Sequence, residues 1–171
     1  MPLICPLCGH ENLDGTEACE SCEQDLSHEP LPRPKEGIQK QLMATRLGEL
    51  VCPKPVLVSP GASVISVIDR MRKAGLASAL VVDRKQRVIG IFTDRDALQK
   101  CGADPKPLRK TPIRDFMTPH PVVLEEDAPL AYAVNRMSQG KFRHIPVTRK
   151  GKPMGVLSIQ EIFHFLCREG E

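Results

Sequence analysis

Gly90-Ile91-Phe92-Thr93-Asp94-Arg95-Asp96 and Gly155-Val156-Leu157-Ser158-Ile159-Gln160-Glu161 decide the fold, because they write one pattern twice, 65 residues apart. Each has a glycine, an apolar pair, a hydroxyl and, three residues after the hydroxyl, a carboxylate. Toward the N-terminus, an offset of 66 carries Pro53, Pro55, Val56, Ala62, Arg70, Met71 and Val81 onto Pro119, Pro121, Val122, Ala128, Arg136, Met137 and Val147. Self-similarity over such a stretch marks a duplicated structural unit.

Within each copy the patterning is the same. Val56–Val58 and Val122–Leu124 predict a short strand. Ser63–Ala74 then places Val64, Val67, Ile68 and Met71 on one helical face, and Leu130, Ala133, Val134 and Met137 repeat that face, so each helix covers a sheet. The apolar run Ser78–Val82 predicts a buried strand, and DRKQ (83–86) or TRKGK (148–152) the turn into a third, before a final helix. The unit is β-α-β-β-α, an α/β (α+β) fold. A unit of about 60 residues leaves one sheet face uncovered, and pairing the copies buries both. Pairing also creates two clefts related by a pseudo-twofold axis.

The doubled hydroxyl-x-x-carboxylate pattern admits two readings. A hydroxyl at a helix start, beside free N–H groups and the positive dipole end, suits phosphate, and a carboxylate one turn on can accept from ribose hydroxyls. This assigns Thr93 and Asp96 to the first site, Ser158 and Glu161 to the second. The same spacing is a capping box, in which both side chains satisfy the helix's own orphan amides. Capping accounts for the spacing but not for the preceding glycine at the same place in both copies. Arg143 and His144 open the second copy's middle strand and can bring charge to a phosphate, whereas their equivalents Ala77 and Ser78 bring none. The two sites are predicted to differ.

Together with VCPKPV (51–56), MTPHPV (117–122) and FRHIPV (142–147), these motifs resemble the cystathionine-β-synthase (CBS) domain pair, or Bateman module, over about residues 45–168. The resemblance implies a regulatory module whose clefts bind AMP, ADP, ATP or S-adenosylmethionine and pass a conformational change to a protein partner. It implies a homodimer, two modules forming a flat disc. It further implies that the segment before each first strand crosses to the other copy's site, bringing His120 and Val122 near the first and Lys54 and Val56 near the second. For His120 and His144 the plain alternative is a surface or half-buried imidazole. Glu161 is one methylene longer than the family's aspartate at its position.

At the N-terminus, Cys5, Cys8, Cys19 and Cys22 are spaced C-x2-C-x10-C-x2-C. Two such thiolate pairs can close a tetrahedral sulfur shell, which suits a structural zinc ion. Gly9 can take the left-handed conformation that closes the first knuckle. A segment this short cannot bury enough core to fold alone, so metal would supply much of its folding free energy. A redox dithiol, rubredoxin-like iron and a disulfide pair are the competing readings. The opening CPLCGHEN (5–12) resembles the short zinc-ribbon family.

Charge is unevenly distributed. Residues 1–32 carry seven carboxylates and no Lys or Arg, while the remainder sets all 24 cations against 14 carboxylates, a surplus of 10. A ribbon without cations cannot neutralise phosphates, which argues against nucleic-acid binding there. The basic remainder suits an anionic ligand.

The organisation read from these features is a zinc ribbon at 1–27, a Pro-rich linker at 28–37, a lead-in helix at 38–50, and repeats at 51–104 and 105–171. In the lead-in segment Ile38, Leu42, Leu47 and Leu50 fall near helical spacing. Arg70 and Arg136 are expected to be solvated. Cys52, Cys101 and Cys167 lack metal spacing and are expected to pack as small apolar residues. With no leader-like N-terminus and no apolar run near the roughly 18 residues of a membrane helix, a cytoplasmic location is expected. No nucleophile triad, paired carboxylates or P-loop stands in credible context, so the chain is not expected to be an enzyme. A ligand-free adaptor whose acidic ribbon recruits a basic partner is the alternative, and a DNA-binding regulator a third.

Overall fold

The structure, a computed structural model, describes residues 3–5, 7–13, 16–26, 36–50, 54–100 and 107–168. Most of the expected linker therefore lies outside the described residues, as do Cys52 and Cys101. An antiparallel hairpin of β1 (Leu3–Ile4) and β2 (Glu11–Asn12) opens the chain, followed by helix α1 (Glu36–Ala44) and a 3₁₀ turn at Leu47–Glu49. The first repeat comprises β3 (Val56–Val58), α2 (Val64–Ala74), β4 (Ser78–Val82), β5 (Val88–Thr93) and α3 (Asp94–Lys100). After two further 3₁₀ turns, Pro107–Arg109 and Ile113–Asp115, come β6 (Thr118–Pro119), β7 (Leu124–Glu125), α4 (Leu130–Gly140), β8 (His144–Arg149), β9 (Lys152–Ser158) and α5 (Ile159–Arg168).

Two small sheets result, ordered β3-β4-β5-β6 and β7-β8-β9, each with its first pair parallel and its second antiparallel. Registers repeat with the sequence offset: Val58 faces Val81 as Leu124 faces Val147, and Val81 faces Gly90 as Val147 faces Gly155. Both copies carry an irregularity at the same place, between Val81 and Val82 and between Val147 and Thr148. The second copy's first strand is Leu124–Glu125, not the expected Val122–Leu124; Val122 packs against the second core without entering the ladder.

The cores follow the predicted faces. Val64, Val67 and Met71 are buried under the first sheet with Val81 and Phe92. Leu130, Ala133 and Met137 are buried under the second with Ile145, Val147 and Leu157. Ser63 caps α2 by accepting from the Ser66 N–H at 3.3 Å, and Gly75 ends it in the left-handed region at φ 65°. Lys141 takes that left-handed position after α4, at φ 53°.

Reciprocal docking of the lead-in turns joins the copies. The Leu47 N–H donates to Ala128 O at 3.0 Å and Gly48 N–H to Glu126 O at 2.8 Å, so the turn before the first repeat lies on the second. Ile113 N–H donates to Ala62 O at 2.7 Å and Arg114 N–H to Pro60 O at 3.2 Å, the same contacts in the opposite sense. Leu47 and Ile113 are each fully buried in the other copy's core. This explains why the expected helix over 38–50 stops at Ala44: the Leu47 and Gly48 N–H groups bond to carbonyls of the second repeat instead of to those of the preceding helical turn, and only a short 3₁₀ turn follows. No helix among the described residues is long and apolar enough to cross a membrane.

Candidate functional site

At the end of β5 the chain turns directly into α3, and Thr93 and Asp96 face each other across that junction. The Thr93 N–H and hydroxyl donate to Asp96 Oδ2 at 3.0 and 2.8 Å, and the Asp96 N–H donates back to Thr93 Oγ1 at 3.3 Å. Lys100 Nζ pairs with Asp96 Oδ1 at 2.7 Å and also donates to Phe116 O at 2.9 Å. The second junction repeats the box: Ser158 N–H donates to Glu161 Oε2 at 2.6 Å and Glu161 N–H to Ser158 Oγ at 3.3 Å. The capping reading is thus realised at both junctions. Free N–H groups were expected beside Thr93, but Asp96 N–H bonds to the Thr93 hydroxyl, and Arg95 N–H donates to Asp94 Oδ1 at 2.7 Å.

Both junctions open into clefts walled by the two repeats together. The first cleft, about 280 Å³, is lined by Thr93–Asp96, Ile91 and Thr118 on one side and by Lys141–His144 and Ser158–Gln160 on the other. The second, about 220 Å³, is lined by Pro55, Gly75–Ser78, His144, Val156, Ser158, Gln160, Glu161 and His164. Ala77, His144, Ser158 and Gln160 border both, so the clefts are neighbours across a shared wall.

Thr93, Asp96, Arg143 and His144 are therefore brought together in the first cleft, and Ser158 and Glu161 in the second. The charged form of His144 is disfavoured: burial pushes its pKa below the ordinary value, outweighing Asp94 and Glu161, which pull it up. Four other expected residues lie beside the clefts instead of on their walls. His120 is exposed at φ 48° after β6 pairs with β5, and the neighbouring Thr118 lines the first cleft in its stead. Val122 packs on the second core, Val56 is buried in the first, and Lys54 is exposed, whereas Pro55 lines the second cleft. Strand alternation explains the last group, since the residue before an inward-facing valine faces the other way.

Sequence reading overlooked Lys141, Phe142 and Asp94. Asp94 and Phe142 sit inside motifs already singled out, so proximity was their signal; Lys141 reaches the cleft only because the chain turns left-handed after α4.

At the N-terminus the four cysteines are free thiols whose sulfurs all lie within 4.8 Å of one another. Cys5 and Cys22 are 3.6 Å apart and Cys8 and Cys19 3.5 Å. Zinc with bonds of about 2.3 Å sets tetrahedral sulfurs about 3.8 Å apart, so the donor set fits that ion. Two knuckles shape it. Cys5 N–H bonds His10 O at 2.9 Å with Gly9 at φ 74°, and Cys19 N–H bonds Gln24 O at 2.7 Å with Glu23 at φ 59°. Burial opposes ionisation of Cys19, yet backbone N–H groups of Cys22 and Ser21 bring its pKa down to about 6. Such amide donors favour the Cys19 thiolate that a metal requires, whereas burial pushes the Cys8 and Cys22 thiols up, a cost that a bound cation would offset.

The ribbon rests against the second repeat. Tyr132 packs on the cysteine cluster, Asn135 Nδ2 donates to Cys22 O at 3.4 Å, and Arg136 pairs with Glu23 at 3.5 Å. Arg136, expected to be solvated, is thereby half-covered, while Arg70 is exposed as expected. Cys167, expected to be packed, is exposed on the last turn of α5, whose apolar face is filled by Ile162, Phe165 and Leu166.

Comparison with known proteins adds independent findings. The family profile described as CBS domain matches residues 47–102 and 113–168. A 17.7 kDa protein of Acidianus ambivalens is 29% identical over 70% of this chain and 72% of its own length. The CBS domain-containing protein CBSCBSPB5 of Arabidopsis thaliana is 32% identical over 65% of this chain, a match that spans only 20% of that longer protein. Among solved structures, CBSX2 in complex with AMP aligns with a TM-score of 0.63 at 24% identity, over 75% of this chain and 100% of the other. A CBS domain protein from Pyrobaculum aerophilum complexed with AMP gives 0.63 at 22%, over 74% and 98%. The CBS domain pair of protein MJ0100 in complex with 5′-methylthioadenosine and S-adenosyl-L-methionine gives 0.64 at 18%, over 73% and 98%.

Proposed function

The chain belongs to the CBS-domain family, and we propose that it is a regulatory module that senses an adenosine-containing metabolite in the clefts between its two repeats. One observation carries this reading: Thr93 and Asp96 line a cleft of about 280 Å³ whose opposite wall, from the other repeat, presents Arg143 and His144. A hydroxyl, a carboxylate and a cation facing one another across an apolar floor suit ribose and phosphate at once. Relatives of this fold solved with AMP, or with 5′-methylthioadenosine and S-adenosylmethionine, support the ligand class.

Binding opens the capping boxes. Asp96 exchanges its Thr93 contacts for ribose hydroxyls, freeing the Thr93 hydroxyl to turn toward phosphate, and Glu161 and Ser158 do the same in the second cleft. Because each cleft has walls from both repeats, a ligand that prefers one arrangement of the pair shifts its population by that differential affinity. The shift is read by a protein partner. The module works as a homodimer in the cytoplasm and has no catalytic role, and Cys5, Cys8, Cys19 and Cys22 hold a structural zinc ion.

Thermal melting with AMP, ADP, ATP and S-adenosylmethionine tests the reading. A ligand at 100 times its Kd stabilises by about 2.7 kcal/mol, and Thr93→Ala and Asp96→Ala abolish the gain at the first cleft. One observation favours a ligand-free adaptor: both boxes are already closed on their own side chains. An adaptor shows no shift with any of the four compounds.

A further inference from the structure

The cysteine ribbon is gripped from two sides. On one side the Met43 methyl of α1 sits against Gly9, where an added Cβ would come within 2.6 Å of it. On the other, Asn135 in the middle of α4 is only 4% exposed and donates its amide to the backbone carbonyl of Cys22, one of the four sulfur-bearing residues. A buried amide of this kind loses its water without compensation unless that carbonyl stays in place. Tyr132, one turn earlier, touches both the cysteine cluster and the core of the second repeat. The offset of 66 places Ser66, Asp69 and Arg70 at the matching positions of α2, and all three are exposed. The outward face of α4 is therefore adapted to the ribbon.

The same helix ends at the first cleft. Asn135 stands five residues before Gly140; Lys141 turns left-handed, and Lys141, Phe142 and Arg143 form the cleft's far wall. The Phe142 ring leaves no room for a side chain at position 140. A helix transmits displacement along its axis as a rod, and this one joins the two sites without an intervening loop.

We infer that metal loading of the four-cysteine knuckle sets the position of α4 and, through it, the wall formed by Lys141–Arg143, so that metal binding and adenine-nucleotide binding are coupled, with Asn135 as the positioning residue. The inference rests on the reading that the first cleft takes an adenine nucleotide. Two states are involved, ribbon docked and ribbon released. By linkage the nucleotide must tighten metal binding by the factor with which metal tightens the nucleotide.

The experiment uses the full chain, zinc-loaded or stripped by a chelator under reducing conditions. AMP and ATP are titrated calorimetrically, and amide exchange of residues 141–144 is followed without nucleotide. Expected are a nucleotide affinity at least about fivefold weaker after stripping, faster exchange in the 141–144 segment, and an equal gain in zinc affinity when nucleotide is present, read by competition with a chromophoric chelator. Asn135→Ser is too short to reach the Cys22 carbonyl. It brings the coupling factor toward one while keeping one zinc per chain, and Asp69→Ser on α2 leaves coupling intact. Equal nucleotide affinity in both metal states, or coupling undiminished in Asn135→Ser, overturns the inference and leaves the nucleotide reading standing. Failure of zinc-loaded protein to bind any adenine compound overturns both.

Discussion

Helices α2 and α4 occupy matching places in a duplicated unit, yet they have different outer faces. Inward, Val64, Val67 and Met71 correspond to Leu130, Ala133 and Met137, and all six are buried. Outward, Asp69 holds an exposed pair with Arg72 at 3.4 Å, whereas Asn135 at the matching position is buried against Cys22. Duplication preserved what the sheet demands of a helix; the added ribbon altered what the opposite face contacts. The clefts diverge likewise. Asp96 is tied by Thr93 and by Lys100, while Glu161 has a cap partner in Ser158, and Lys141 and Arg143 stand only on the first cleft's wall.

The largest expected break in this comparison comes from the ribbon. On the zinc reading, Cys22→Ser removes a ligand from a site whose metal would supply on the order of 10 kcal/mol of folding free energy. Zinc per chain, by elemental analysis, falls well below one, and amide protection is lost over residues 3–26 while α2 is untouched. Next come the matched core residues Phe92 and Leu157, both fully buried. Phe92→Ala costs about 3–5 kcal/mol and Leu157→Ala about 2–5 kcal/mol in urea unfolding. A single transition that shifts as a whole in both variants would show that the two cores unfold as one.

Asp96→Ala costs more than Glu161→Ala, because it removes the ion pair with Lys100 as well as opening a cap; a cap alone is worth about 0.5–2 kcal/mol. Equal losses would mean that the Lys100 pair contributes nothing. The smallest effect is on pH dependence. Burial holds the His144 pKa below its ordinary 6.5, so below that pH the unfolded chain binds more protons than the folded one. The stability from neutral His144 is full above pH 6.5 and declines as pH falls from there through the depressed folded value. Melting curves recorded across that window should flatten in His144→Gln. Ser78, its counterpart in the first copy, has nothing to titrate there.

Most of the fold was readable because repetition and periodicity act locally. The helix faces at 64–71 and 130–137, the bounded strand at 78–82 and the paired cysteines each announce themselves within a few residues. Features set by distant backbone were not readable. The end of α1 at Ala44 depends on the carbonyls of Glu126 and Ala128, about 80 residues away. The face of β3 decides that Pro55, and not Val56, reaches the second cleft. The docking of the ribbon had left one overlooked trace: an offset of 66 sets Tyr132 against Ser66 and Asn135 against Asp69, replacing solvated side chains by ones suited to contact.

The crossed turns at Leu47 and Ile113 carry a consequence for how such a chain can be cut. A half-length polypeptide holding one copy would keep its sheet but leave a vacant slot beside its own helix, and would carry a loose apolar hook with nowhere to go. Two such halves answer each other's need only by exchanging hooks, which makes their association obligatory and dilution their weakness. Fusing both halves on one thread replaces that encounter by a tether, so the pair assembles at any concentration.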